Sequence, residues 1–387
     1  MKVVKNVTAV IYPDSMIGII GGDANSKLLA LAAKKLGFRV GILTDTLDSP
    51  AAGVADVTEM GALNSVTNLQ KLAQFCDVMT YQYENIDTNV LEQLNAVNFP
   101  QGTDILSITQ DRQLEKVFFE SHNLNIAPYA TIVDINDIYD AVGSIGYPCV
   151  LKPIQKSYGK QFQHIIYGEG DIAACEEYLT SGTYILESWV PYESELTIMV
   201  AKDSDKNLAY MPVVEDVIID QKLFETIVPA RIKPAVMAEV QRIAELIGQT
   251  LDYVGVFGVE FFLTASDTLY VKRLVPGPHT AGNIFNEATN VSQYELHLRT
   301  LCHWPLPKIE LVSPAVSVTI PKRLITDTFT QVLIKPDWYF YYYLDNAQEA
   351  DDRAGHVTIL TSDTRATLEQ IYDTEIWNKP PQHKQIN

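Results

Sequence analysis

The stretch Val254–Asn283, VGVFGVEFFLTASDTLYVKRLVPGPHTAGN, decides how this chain folds. Two apolar runs, GVFGVEFFL and TLYVKRLV, flank a turn around Ala265, Ser266 and Asp267, which predicts a β-hairpin. The first run carries a single carboxylate, Glu260. An ionised Glu in an apolar strand is costly to bury unless a cation or a metal meets it. The second run ends in a Pro- and Gly-rich loop that holds His279. A carboxylate on one strand and a polar loop after the next suggest the wall of an active site. Lys272 and Arg273 stand where a metal site would want further oxygen ligands.

Working outward, MIGIIGG (Met16–Gly22) reads as a buried strand. SKLLALAAKKLG follows as a helix stopped by Gly37, then FRVGILTD as a second strand with Asp45 at its tip. This is a βαβ opening of an α/β domain. The turn GGDANS is not a GxGxxG fingerprint, so a plain parallel-sheet domain fits equally well. FCDVMTYQYENI predicts a strand from Cys76 to Tyr81 ending in a polar cluster. DILSITQDRQLEKVFFESHNL predicts a short strand and then a helix with Asp111 as its N-cap. Beyond Ala127, CVLKP is an apolar strand with Lys152 near its end, a position that asks for an anion. HIIYGEG is a strand followed by a helix. TYILESWVPYESELTIMVAKD puts Glu187 at a strand end and Glu195 at the start of the next. PAVMAEVQRIAELIGQTL is an amphipathic helix, YELHLRTLCHWPLP a shorter one, and from Ser313 onward the chain is rich in strands and turns.

With 387 residues, 47% hydrophobic and 20% charged, the chain is long enough for two or three ordinary globular domains. A formal charge of −19 argues against nucleic acid or an anionic membrane surface as a partner, while a local cationic cluster can still hold a small anion. Cys76, Cys149, Cys175 and Cys302 are far apart and form no CxxC pair, so reduced thiols are expected and zinc is not. The N-terminus lacks a signal-peptide apolar core and no run of about 18 apolar residues occurs. A cytoplasmic protein is the expectation.

Several segments, in order, carry a resemblance. They are DSPAAGVAD (Asp48–Asp56), TYQYENI (Thr80–Ile86), QDRQLEK (Gln110–Lys116), YPCVLKP (Tyr147–Pro153), ILESWVPYESEL (Ile185–Leu196), YVGVFGVEFFLT, VPGPHTAGN, SQYELHLRTL (Ser292–Leu301) and AGHVTIL (Ala354–Leu360). The chain thereby resembles the 5-(carboxyamino)imidazole ribonucleotide synthetases, also called the ATPase subunit of phosphoribosylaminoimidazole carboxylase, of the ATP-grasp superfamily. The resemblance implies a mixed α/β and α+β fold. An N-terminal parallel-sheet α/β domain would span residues 1–110 and an ATP-grasp domain 111–310, with a central subdomain at about 111–185. A small β-rich C-terminal domain would span 311–387. It implies ATP and Mg2+ as cofactors, bicarbonate and 5-aminoimidazole ribonucleotide as substrates, carboxyphosphate as the intermediate, and a homodimer acting in purine biosynthesis.

Residue by residue, the resemblance places Arg112 and Lys152 against ATP phosphates, where cations offset the nucleotide charge. Glu187, Ser188, Trp189 and Val190 match the hinge that brackets adenine, and Glu195 the carboxylate that accepts from the ribose hydroxyls. Glu260 matches a magnesium ligand. Tyr81, Glu84, His279, Gly282 and Arg353 match segments that build the imidazole ribonucleotide pocket. From the residues alone, Lys152 also fits a snorkelling strand-end lysine, Trp189 a core residue and Glu195 a surface glutamate.

The chain departs from the family pattern mainly on ligands. Lys272-Arg273 replaces an Asn-Glu pair that brings the second magnesium carboxylate, and Gly277 replaces an arginine. Thr280, Ala281 and Asn283 replace Asn, Ser and His. The phosphate loop reads KSYGKQF rather than a glycine-rich run, with Tyr158, Gly159 and Lys160 kept. VVEDVIIDQK lacks a histidine near residue 218. EADDR (Glu349–Arg353) keeps one cation of a basic stretch, Asp23 and Ser26 replace glycines, and Gln82 replaces a glutamate. Two alternatives therefore stand beside the family reaction: a catalytically weakened nucleotide-binding paralogue with a regulatory role, and an ATP-grasp ligase with a different acceptor. Lys272 and Arg273 could also take the divalent ion's place as fixed positive charge.

Overall fold

The computed structural model describes residues 9–82, 84–94, 98–156, 163–343 and 353–380. Four strands, β1 (Met16–Ile20), β2 (Arg39–Thr44), β3 (Val57–Met60) and β4 (Val78–Tyr81), form a parallel sheet in the order β3-β2-β1-β4. Every residue of β1 and β4 is buried, as the unbroken apolar runs demand of a parallel sheet covered on both faces. The glycine turn after β1 is remade by its two replacements. Asp23 caps the helix Ala24–Lys35 by accepting from both the backbone N and the hydroxyl of Ser26, at 2.8 and 2.7 Å. Gly37, at φ +85°, ends that helix in the left-handed region.

The segment ILSI is an α-helix, Asp104–Thr109, not the expected strand. A four-residue apolar run fits one turn of a buried helix as well as a strand, and here Ile105 and Leu106 pack into the core. The next helix, Arg112–Ser121, starts at Asp111, whose carboxylate accepts from the amides of Gln113 and Leu114. Strands β5 (Tyr129–Ile132), β6 (Cys149–Pro153), β7 (His164–Ile166) and β8 (Tyr184–Ser188) form an antiparallel sheet in the order β5-β8-β6-β7. The helical segment after β7 is of the 3-10 type, Glu169–Glu177.

The third sheet holds nine strands: β9 (Tyr192–Lys202), β10 (Leu208–Tyr210), β11 (Val214–Ile219), β12 (Lys222–Val228), β13 (Gly255–Thr264), β14 (Leu269–Pro276), β15 (Ala315–Pro321), β16 (Trp338–Tyr342) and β17 (Arg353–Leu360). Its order is β14-β13-β9-β11-β12-β15-β17-β16, with β10 pairing β9. The β-rich tail is therefore continuous with this sheet through the β12–β15 pairing, Glu225 opposite Val318 to Val228 opposite Ala315. Alternation sets the two faces. Leu196, Ile198 and Val200 of β9 pack on Val240, Ile243, Ala244 and Ile247 of the helix Pro234–Thr250. Each such aliphatic side chain is worth roughly 1.5–3 kcal/mol of burial. The other face carries Glu195, Thr197 and Glu260.

The hairpin predicted at Ala265–Asp267 is β13 and β14, and it contains one irregularity that decides the site. Glu260 lies opposite Arg273 and Phe261 opposite Val271, so Lys272 is the extra residue of a β-bulge. In a regular strand Lys272 and Arg273 would point to opposite faces. The bulge sends both toward Glu260.

Close packing also fixes the outer edge of the sheet. A Cβ on Gly355 would fall 2.1 Å from the backbone oxygen of Tyr341 on β16, an atom that cannot swing aside. Gly355→Ala should cost about 1–3 kcal/mol in urea denaturation, as overpacking against backbone does. Gly53→Ala, with nothing within 4 Å of the new methyl, should stay within about 0.5 kcal/mol.

Candidate active site

Three elements converge on the polar face of the large sheet. The first is the start of helix Arg112–Ser121, where Arg112, Glu115 and Lys116 share a face by their i, i+3 and i+4 spacing. Two hydrogen bonds tie its first residue to the end of β6: Arg112 N donates to the O of Ile154, just past the strand, at 2.9 Å, and the side-chain Nε of Arg112 to Pro153 O at 3.1 Å. The second element is the β6–β8 pair. Lys152 Nζ lies 2.6 Å from Glu187 Oε2, and Lys116 Nζ 3.0 Å from Glu187 Oε1. Burial pushes the Glu187 carboxyl up, but the two lysines outweigh it and hold the group far below the usual carboxylate range. Burial lowers Lys152, and Glu187 partly restores it. Lys152 is thus no snorkelling lysine; its anion is Glu187.

The third element is the bulged hairpin. Glu260, 5% exposed, has Oε1 at 2.6 Å from Arg273 Nη2 and Oε2 at 3.0 Å from Lys272 Nζ. Lys272 also reaches Glu195 Oε2 at 2.5 Å and sits 5.3 Å above the Phe262 ring. Burial would raise the Glu260 carboxyl; Arg273 and Lys272 reverse that and hold it well below its ordinary value. Glu115 binds across the elements, accepting from the Leu274 amide at 2.8 Å and pairing with Lys156 at 2.7 Å. Asp216 on β11 accepts from Thr197 Oγ1 at 2.6 Å and Thr226 Oγ1 at 2.9 Å, and burial pushes it up to about 7.

Beside this cluster lies a second one, built by the loop after β14. Gln293 clamps the loop, accepting from His279 N at 2.9 Å and donating to His279 O at 2.6 Å. His279 Nε2 comes within 3.6 Å of Glu260 Oε1. Burial lowers His279 to about 4, against the pull of Glu260. Arg353 donates to Thr280 Oγ1. Arg353 and Thr280, together with Asn283, Thr226 and His356, line a cavity of about 10 Å3, room for a single water. The Nε2 of His356 is buried there without a partner, while its Nδ1 meets Tyr343 Oη at 2.7 Å.

The structure thus brings together Arg112, Lys152, Glu187, Glu195 and Glu260 on one face, with His279 and Arg353 adjoining. Ser188 ends β8, and Trp189 and Val190 follow it. The amides of Ser188 and Trp189 donate to Pro128 O and Pro148 O, so both are committed to the fold. Trp189 is half-buried and lies outside the core. Glu195, 6% exposed, is no surface glutamate. Glu84 is held by a loop that Gln110 fastens through Glu84 O and Ile86 O; burial raises its carboxyl and Arg273 and Lys156 pull it back.

Two expected site residues take other roles. Tyr81 is fully buried, with its ring against Phe99 in the core, so it cannot offer that ring to a ligand. Gly282 is a packing residue: an added Cβ would meet Gln293 Oε1 at 2.2 Å, so only glycine admits the clamp. Gly277, at φ +84° with Gln82 3.1 Å from its missing Cβ, likewise suits no larger side chain. Tyr158, Gly159, Lys160 and Glu349–Asp352 lie outside the described residues. Sequence reading missed Glu115, Lys116, Lys156, Asp216, Gln293 and His356. The helical spacing from Arg112 was signal enough for the first two; the others depend on long-range contacts.

The donor set does not fit the magnesium ion that the ATP-grasp fold implies. Both oxygens of Glu260 are spent on fixed cations, and Arg273 stands at the position paired with it. Like unit charges about 4 Å apart cost about 4 kcal/mol at an effective dielectric of about 20, and a divalent ion doubles that. Among the described residues no group of three or more His, Cys, Asp or Glu can hold a metal.

A parallel-sheet domain followed by two antiparallel sheets, with paired lysines, arginines and glutamates on facing elements, defines a protein of the ATP-grasp class. Residues 15–110 match the ribonucleotide synthetase preATP-grasp domain and residues 117–294 the ATP-grasp domain. An N5-carboxyaminoimidazole ribonucleotide synthase from Bacillus subtilis is 32% identical over 94% of this chain and 96% of its own length. One from Staphylococcus aureus is 31% identical over 92% and 95%. The ADP complex of an N5-carboxyaminoimidazole ribonucleotide synthetase superposes with a TM-score of 0.91 at 33% identity, covering 96% of this chain and 98% of that one. The S. aureus enzyme complexed with ADP gives 0.89 at 30%, covering 95% and 98%. The chain belongs to the N5-carboxyaminoimidazole ribonucleotide synthase family.

The electrostatics set a pH dependence. His279 is held at about 4 in the folded chain against an ordinary 6.5. Between those values the unfolded chain takes up a proton that the folded chain refuses, so this contribution is intact above about pH 6.5 and shrinks as pH falls toward 4. NMR titration of the His279 ring should give a midpoint near 4, and Glu260→Gln should lower it. The same variant leaves Arg273 buried without its anion. It should lose about 2–3 kcal/mol in urea denaturation, under the roughly 3–5 of a fully buried pair because the Arg273 side chain is 28% exposed.

Proposed function

We propose that this chain is an ATP-dependent ligase that carboxylates 5-aminoimidazole ribonucleotide with bicarbonate in purine biosynthesis, acting as a cytoplasmic homodimer. The observation that carries the reading is the convergence of Arg112, Lys116, Lys152, Glu187 and Glu195 on one cleft in a chain related to this family along nearly its whole length. Matches to residues 15–110 and 117–294 support a division between residues 1–110 and an ATP-grasp domain that begins at 111.

In this reading Arg112 and Lys152 take the nucleotide phosphates, and the Glu187–Val190 hinge takes adenine. Glu195 accepts from the ribose hydroxyls, with Lys272 holding its carboxylate in place. The γ-phosphoryl passes from the ADP oxygen to an oxygen of bicarbonate, giving carboxyphosphate. The substrate amine then attacks the carboxyl carbon, phosphate leaves, and the nitrogen gives up a proton. Fixed cations placed in advance at the phosphoryl oxygens lower the barrier without reorganising at the moment of transfer. Arg353, beside Thr280 and His279, is the cation for the acceptor's phosphate. The altered residues Lys272 and Arg273 favour one second reading, a nucleotide-binding member with weakened chemistry, since they occupy the oxygens of Glu260.

ATP hydrolysis with bicarbonate and magnesium, with and without aminoimidazole ribonucleotide, separates the readings. Turnover stimulated by the ribonucleotide is expected; nucleotide binding without turnover would support the weakened member, and turnover blind to the ribonucleotide a different acceptor. Arg353→Ala should raise the KM for the ribonucleotide by about tenfold or more and leave that for ATP nearly unchanged, as loss of one charged contact does.

A further inference from the structure

The misfit of a divalent ion at Glu260 leaves two buried cations whose use is not exhausted by the carboxylates they meet. Arg273 engages Glu260 through Nη2, and its Nε is buried without a hydrogen-bond partner. A guanidinium serving only to neutralise Glu260 would turn both edges to it, as Arg231 does with Glu215, at 2.9 Å through Nε and 2.6 Å through Nη2. The Arg273 side chain is 28% exposed and Lys272 is 26% exposed, so a ligand in the cleft can reach both. Arg112 and Lys156 stand close enough for Arg273 to repel them, although they come from other elements. The facing carboxylates are Glu84, Glu115, Glu195 and Glu260. Four cations and four carboxylates thus crowd a place that an ordinary protein interior would leave to one or two pairs.

We propose that Lys272 and Arg273 are the built-in counter-charge for the polyphosphate of a bound nucleoside di- or triphosphate, so that binding does not depend on a divalent cation. The proposal rests on the nucleotide reading of the cleft and narrows it. A planar guanidinium donates to two phosphate oxygens at once, and the Arg273 side chain stays 28% exposed while Nη2 bonds to Glu260. Lys272, held by Glu195 and Glu260, adds a positive charge whose position the β-bulge fixes. Magnesium normally brings its charge with the nucleotide and needs an oxygen donor from the protein. Here the charge is on the chain and the donor is occupied.

The test is calorimetric titration of the full chain with ADP and with ATP, in excess magnesium and in excess EDTA. The two conditions should give dissociation constants within about threefold of each other. Arg273→Gln should weaken ADP binding by about tenfold or more in both conditions. Arg273→Glu should bind weakly in EDTA and recover about tenfold on adding magnesium, since it returns an oxygen donor beside Glu260. Lys272→Gln gives the same readout as Arg273→Gln should the position 273 variants fail to fold, which their circular dichroism and unfolding midpoints report. Magnesium tightening of the unaltered chain by more than about tenfold overturns the proposal, as does undiminished ADP binding by Arg273→Gln. Absence of ADP and ATP binding under both conditions overturns the nucleotide reading as well, a result distinct from magnesium-dependent binding.

Discussion

A carboxylate buried in the middle of an apolar sheet is the constraint around which the site is arranged. Taking an ionised Glu out of water costs several kcal/mol unless cations of good geometry answer it. Glu260 has two, at 2.6 and 3.0 Å, and both come from one turn of irregular strand. Without the bulge between β13 and β14 only one of Lys272 and Arg273 would face Glu260, and the other would enter the apolar face packed on Pro234–Thr250. The same pair then fixes its neighbours. Lys272 holds Glu195, and Arg273 acts on Glu84 and His279. Glu115 joins Lys156 to the amide of Leu274 and so closes the helix Arg112–Ser121 against the hairpin.

The cleft is a set of charge pairs drawn from separate elements, each partly desolvated. Glu187 sits between Lys116 of a helix and Lys152 of a strand. Such pairs add little net stability, but removing one partner strands the other, so they favour a single arrangement of the elements that carry them. The neighbouring cluster is built differently, from neutral histidines and hydroxyls around one arginine. Burial keeps His356 in the small cavity, and His279 nearby, uncharged at neutral pH, and Arg353 lines that cavity as a cation.

Much of this was legible in the sequence because it is local. The hairpin at Ala265–Asp267, the Asp111 cap, the amphipathic helix Pro234–Thr250 and the parallel opening follow from period and punctuation. The need of Glu260 for a cation and of Lys152 for an anion followed from desolvation alone. Where reading failed, the cause was distance along the chain or a break in period. ILSI is too short for periodicity to separate a helix turn from a strand. The family resemblance put Tyr81 with Glu84 in the pocket, yet it ends a strand buried on both faces. The joint reach of Lys272 and Arg273 depends on a bulge that period-two reading cannot see. The pairing of β12 with β15 joins residues some ninety positions apart, so the tail's place in the large sheet was invisible.

The central claim is that the chain itself supplies the positive charge at Glu260. A crystal structure of the full chain grown with ADP and excess magnesium tests it most directly. The account predicts Arg273 still bonded to Glu260, its guanidinium donating to a phosphate oxygen, and no ion bound by that carboxylate. A magnesium ion at about 2.1 Å from a Glu260 oxygen, with Arg273 swung away, would contradict it.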